Sequence, residues 1–193
     1  MRVLPVVLLP LLLLAAGCSE PPQKELDRAQ GAIDAARAAG AEQYAPQAYT
    51  AANAALKQAH EAVAQRDYRL ALTRALDASD RAHDAAKGAA DGKARARSEA
   101  EAAITTLAAA LDRLQARIAA DRSRVPRRSL DASIRAHRDG DIALQKARAA
   151  VATGDYLGAQ AGLQNVESRI TAEIRAFDNA VQSRPAKPPR RRG

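Results

Sequence analysis

Between residues 24 and 181 the apolar positions recur three and four apart, the spacing that lines one face of an α-helix. Punctuation divides the pattern into six predicted helices. The first runs from about Lys24 to Ala39, with Leu26, Ala29, Ile33 and Ala36 on its stripe and Gly40 as its stop. The second opens at Pro46, a favourable first-turn residue, and carries Tyr49, Ala52, Leu56, Ala59 and Val63. Asp67 is placed to cap a third, with Tyr68, Leu72, Ala75, Ser79 and Ala82, which Gly88 and Asp91-Gly92 are expected to end. In the fourth, Ile104, Leu107, Leu111, Leu114 and Ile118 alternate between spacings of three and four, a coiled-coil-like seam that wants a partner within the bundle or between subunits. Pro126 opens the fifth, with Leu130, Ile134, Leu144 and Val151; the sixth follows Gly154-Asp155 as one helix from Tyr156 to Val181.

Two of the predicted joints are copies of each other. Residues 55–68, ALKQAHEAVAQRDY, match residues 143–156, ALQKARAAVATGDY, at eight of fourteen positions, and the shared Leu, Val and Asp-Tyr are not explained by alanine bias. Ala45-Pro46 and Val125-Pro126 open the two copies, and the second has about eight extra residues near Arg138-Asp139-Gly140-Asp141. In the second copy Gly154 supplies the left-handed residue that ends one helix, Asp155 caps the next, and Tyr156 packs between them. In the first copy Arg66 stands where the glycine should be, so the turn at Asp67 and Tyr68 is expected to be strained.

Composition fixes the class. Alanine dominates, Trp is absent and the aromatics are four Tyr and one Phe, while β-branched runs are missing after the N-terminal segment. The expected fold is all-α: an elongated, alanine-rich antiparallel helical bundle of coiled-coil-like hairpins. Its expected organisation is a signal segment (1–17), a lipidated linker (18–22), two helical units (23–91 and 92–182) and a disordered Pro/Arg tail (183–193). Alanine buries little area at about 25 cal/mol per Å², so either stability is modest or self-association adds burial. The formal charge of +8 resembles a nucleic-acid signature until it is mapped. Arg184, Lys187, Arg190, Arg191 and Arg192 lie in the tail, Arg2 lies in the leader, and the helices interleave both signs without stacking aromatics, so nucleic acid is not an expected partner.

The N-terminus carries the sharpest chemistry. Arg2 precedes an apolar run of about fourteen residues, Val3 to Ala16, too short for a membrane span of about twenty. It ends Leu14-Ala15-Ala16-Gly17-Cys18, which resembles the lipobox of bacterial lipoprotein precursors, with Ala15 where that family most often has Leu. The resemblance implies cleavage between Gly17 and Cys18, a diacylglycerol on the thiol and an N-acyl chain of the palmitate type on the new amine, with no other cofactor. Cys18 is the single cysteine, so no internal disulfide competes for it. The alternative is an ordinary secretory signal with an incidental cysteine. Acyl methylenes at about 0.8 kcal/mol each would make the attachment permanent. Ser19, rather than Asp, follows the cysteine, and by the family's sorting rule this implies the outer membrane's inner leaflet, facing the periplasm.

Gly40-Ala41-Glu42-Gln43-Tyr44-Ala45-Pro46, then Leu56, Ala59, Asp67-Tyr68, Ala71 and Ala75, resemble an alanine-rich helical domain of unknown function found in Gram-negative lipoproteins. The likeness covers about Gln23 to Ala90, with a fainter second copy behind it. Members are often fused to a peptidoglycan-binding domain like that of outer-membrane protein A; none follows the helices here, so the likeness does not extend to wall attachment.

Chemistry for catalysis is absent from the pattern. His60, His83 and His137 are far apart, and His83 with Asp80 and Asp84 reads as a charged face, with Arg81 able to pair with Asp77 at i,i+4, rather than as metal ligands. His137 falls on its helix's apolar stripe. The expectation is a non-enzymatic scaffold, spacer or partner-binding module, or alternatively an accessory subunit of an envelope transport or secretion complex that adds helices to a partner's coiled coil. A homo-oligomer or an envelope protein is the expected partner, besides the membrane. The tail's arginines suit lipid headgroups, lipid A phosphates or peptidoglycan carboxylates; the alternative is an inert, solubilising terminus.

Overall fold

The computed structural model describes residues 20–183. Gly17, Cys18 and the tail residues Arg184, Lys187, Arg190, Arg191 and Arg192 lie outside them. Every regular element described is a helix: α1 (Gln23–Ala38), α2 (Ala41–Tyr44), α3 (Pro46–Ala64), α4 (Tyr68–Asp121), α5 (Arg127–Ala152), α6 (Tyr156–Leu163) and α7 (Val166–Gln182). The all-α expectation holds. The chain divides into two units, Met1–Lys87 and Gly88–Gly193.

In the first unit α1 and α3 pack together, with the single turn of α2 against both. The first helix stops where the sequence places the stop. Gly40 adopts φ +87° and its amide donates to the Arg37 carbonyl. Leu26, Ile33, Tyr49 and Leu56 are the large buried side chains, and alanines fill the remaining core positions. The start of α4 departs from the predicted stripe. Ala71, Ala75, Ala78, Ala82 and Ala85 are buried, but Leu72 is 37 % and Leu76 44 % exposed and Tyr68 is half-buried. The methyl face, which lets backbones approach closely, wins over the two leucines on its shoulder.

The break expected at Gly88 and Asp91-Gly92 is not there; α4 is helical through all three residues. Each glycine costs a helix interior only about 1 kcal/mol, and the alanines on either side are the strongest helix formers. No proline or capping geometry intervenes.

The duplicated joints share the same closing bonds. In the first, the Asp67 amide donates to the Ala62 carbonyl and Arg66 to Val63; in the second, Asp155 donates to Ala150 and Gly154 to Val151. This is the Schellman closure of a helix C-terminus. The Asp67 carboxylate then accepts from the Leu70 amide and the Asp155 carboxylate from the Gly158 amide, both at 2.9 Å, capping the next helix. The left-handed position is Gly154 (φ +83°) in one copy and Arg66 (φ +61°) in the other, so the expected strain is present. An L-residue there costs about 1–2 kcal/mol, partly offset by the extra freedom glycine has when unfolded. Arg66→Gly is therefore expected to raise stability by about 0.5–1 kcal/mol. Urea denaturation would check it; a loss of stability would show that the exposed Arg66 side chain holds the turn. Of the eight extra residues in the second copy, seven lengthen the helix, 26 residues in α5 against 19 in α3. The eighth arises because Pro46 is inside α3 whereas Pro126 precedes α5.

In the second unit α5 packs on α6 and α7. The continuous core is Leu107, Leu111 and Leu114 of α4 with Leu144, Ala147, Ala159, Leu163 and Ile170. The buried face of α5 is rotated from the predicted stripe. Ser133, Gly140, Leu144 and Ala147 face inward, Leu130 and Val151 are half-buried, and Ile134 is 49 % exposed. Small residues again set the closest line of approach. The sixth predicted helix is two, because Asn165 takes φ +66° and separates α6 from α7. Ala159, Leu163, Val166 and Ile170 keep helical phase across the break, so apolar spacing carried no sign of it; asparagine's tolerance of the left-handed region did.

Candidate interaction surfaces

The seam on α4 is already occupied. Leu107 and Leu114 have no exposed surface, Leu111 is 4 % exposed, and Ile104 and Ile118 pack on the same cluster at half burial. The partner that Ile104 to Ile118 wants is the unit's own α5, α6 and α7. Close approach there rests on Gly140, since a β-carbon built on it would stand 2.7 Å from Leu111 Cδ2 and 3.1 Å from Ile170 Cδ1. Polar bonds fix the register of the same helices. The buried Ser133 hydroxyl donates to Glu173 Oε1 at 2.6 Å, joining α5 to α7. Gln160 Nε2 donates to the Ala96 carbonyl and to Glu99 Oε2.

At the turns, Tyr156 packs against the second unit's core at half burial, as the sequence predicts. In the first unit the aromatic used in this way is Tyr49, 8 % exposed, whose hydroxyl accepts from Arg37 Nε at 2.7 Å. That bond is the leading cause that lifts the Arg37 guanidinium above its usual pKa, with the Asp34 and Glu42 carboxylates adding. The Arg37–Tyr49 bond was not anticipated from sequence; the two residues are twelve apart and on different helices.

Arg81 pairs with Asp77 at 2.9 Å, while His83, Asp80 and Asp84 are exposed. Among the described residues no group of three or more His, Cys, Asp or Glu is arranged to hold a metal ion. His137 is half-buried rather than interior.

The charge of the second unit is concentrated, which the reading of its helices as evenly mixed missed. Residues 112–131 hold Arg113, Arg117, Arg122, Arg124, Arg127 and Arg128 against Asp112, Asp121 and Asp131. Elsewhere in residues 88–183 nine basic and nine acidic residues balance. The excess therefore sits at the α4–α5 connection and the adjoining turns. Counting charge over a window of about twenty residues would have found it. Arg124 pairs with Asp121 at 2.9 Å and Arg117 with Asp178 of α7 at 3.5 Å. Arg122, Arg127, Arg128 and Arg175 make no ion pair with the described residues. Beside them an open groove of about 550 Å³ lies between α4 and α7, lined by Ala116, Ala120, Thr171 and Ile174 together with Arg113, Arg117 and Arg175.

Compared with known proteins, the chain matches no family model, no curated protein and no solved structure.

Proposed function

We propose that this chain is a lipid-anchored lipoprotein of the bacterial envelope, a non-enzymatic helical scaffold, spacer or partner-binding module facing the periplasm from the outer membrane. The observation that carries the reading is Leu14-Ala15-Ala16-Gly17-Cys18 at the end of a short apolar run in a chain with one cysteine. It is supported by the onset of helix at Gln23, five residues beyond the acylation position, which leaves a short tether between bilayer and fold. No described helix is long and apolar enough to cross a membrane, so attachment in this reading is through the acyl chains. The Pro/Arg tail adds a second contact with envelope phosphates or carboxylates.

The test is metabolic labelling with palmitate in a Gram-negative host, followed by mass spectrometry of the mature N-terminus. The expected product begins at Cys18 and carries a diacylglycerol and an amide-linked acyl chain, and Cys18→Ser removes both the label and the membrane fractionation. A mature terminus elsewhere, or an unmodified thiol in the soluble fraction, overturns the reading.

One observation favours the second reading, an accessory subunit of an envelope transport or secretion complex. Leu72 and Leu76, one turn apart, present exposed leucine on one shoulder of α4, in the place where a partner helix would add. The α4 seam itself does not serve that reading, because its own unit fills it.

A further inference from the structure

We infer that the α4–α5 end of the second unit docks onto an anionic phospholipid surface, with phosphates held by Arg113, Arg117 and Arg175 around the groove between α4 and α7. The inference does not rest on acylation of Cys18, nor on the tail. Three observations carry it. The first is the sign and density of charge: residues 112–131 carry the whole basic excess of residues 88–183, and Arg122, Arg127, Arg128 and Arg175 lack an ion-pair partner among the described residues.

The second is residue type. All six cations in that segment are arginine, whose planar fork holds phosphate oxygens in pairs, where lysine would offer a point charge. The third is the groove's lining. Ala116, Ala120 and Ile174 offer a headgroup's glycerol an apolar surface beside Arg113, Arg117 and Arg175. Single-stranded nucleic acid fits this end poorly, since its bases stack on exposed aromatics, and the unit's Phe177 is buried and Tyr156 half-buried in the core. Val125, the large apolar residue of the connection, is also buried, so the contact is peripheral and electrostatic rather than inserted.

The attraction is worth about fivefold in affinity for each arginine near an anionic surface and should fall with salt. The experiment uses the chain from Ser19 onward, which keeps every described helix, with and without residues 184–193. Sedimentation with phosphatidylcholine vesicles containing phosphatidylglycerol is compared with pure phosphatidylcholine. Binding is expected to the anionic vesicles only, to persist without the tail, and to weaken about a hundredfold in Arg113→Gln/Arg117→Gln/Arg175→Gln. The matched variant Arg135→Gln/Arg138→Gln/Arg148→Gln removes the same charge from exposed positions on α5 and should weaken it less than tenfold. Circular dichroism checks that both variants stay helical. Equal losses in the two variants, binding that vanishes with the tail, or displacement by millimolar glycerol phosphate or by polyglutamate as effectively as by lipid would each overturn it.

Discussion

Phe177→Ala is expected to destabilise the second unit by about 3–5 kcal/mol. Phe177 is 1 % exposed and heads the fully buried side chains by size. A cavity left by a large side chain is cheapest when its neighbours can lean in. Alanines cannot, because they have no side-chain torsion to adjust, and alanine is the commonest buried residue in this chain. Folded domains hold about 0.05–0.15 kcal/mol per residue in reserve, so a unit of this size loses much of its margin. Urea titration followed by circular dichroism, with hydrogen exchange of the α5–α7 amides, reads the effect. A change below about 1 kcal/mol, within the range of ordinary surface substitutions, would mean that the ring is not packed as described.

Gly140→Leu is the second large effect, about 3 kcal/mol of destabilisation by overpacking. A β-carbon there already meets Leu111 and Ile170, which are 4 % and 3 % exposed and have little room to yield. Gly140→Ala should fall within about 1 kcal/mol of neutral, since relief of glycine's helix penalty offsets the strain of one methyl. The informative variant is the double change Gly140→Leu/Leu111→Ala. If the helices are held at this spacing by Leu111, the second substitution gives the new side chain space, and the pair should cost clearly less than the sum of the singles. Additive losses would place the constraint elsewhere.

How much of this was legible in the sequence depends on which signal each residue carried. Helix class, the stop at Gly40, the start at Pro46, the duplicated Asp caps and the strain at Arg66 all follow from local chemistry and were readable. The inward faces of α4 and α5 were misjudged at Leu72 and Ile134 for one reason: hydrophobic spacing weights large residues, whereas these helices pack along Ala, Ser and Gly. The continuity of α4 through Gly88 and Gly92 was hidden because two tolerable penalties look like punctuation. The break at Asn165 was hidden for the opposite reason, since the apolar phase runs straight across it. Among the interaction residues, the seam was found with both possible destinations left open, and only the packed core shows that it closes internally. The arginine cluster was diluted by averaging charge over whole helices.

The paired joints have a consequence for how such a fold can vary. The closing bonds and the Asp cap are confined to nine residues in each copy, 62–70 and 150–158, and the helix leading into the joint differs by seven between the copies. Seven residues are nearly two whole turns, about 10.5 Å of axial rise, and they return the side chains to within about 20° of their former bearing. A hairpin arm can therefore be extended in heptad steps without redesigning its hinge or re-aiming its inner face. Reach becomes a property that insertion alone can adjust, and the two arms within this one chain are two settings of it.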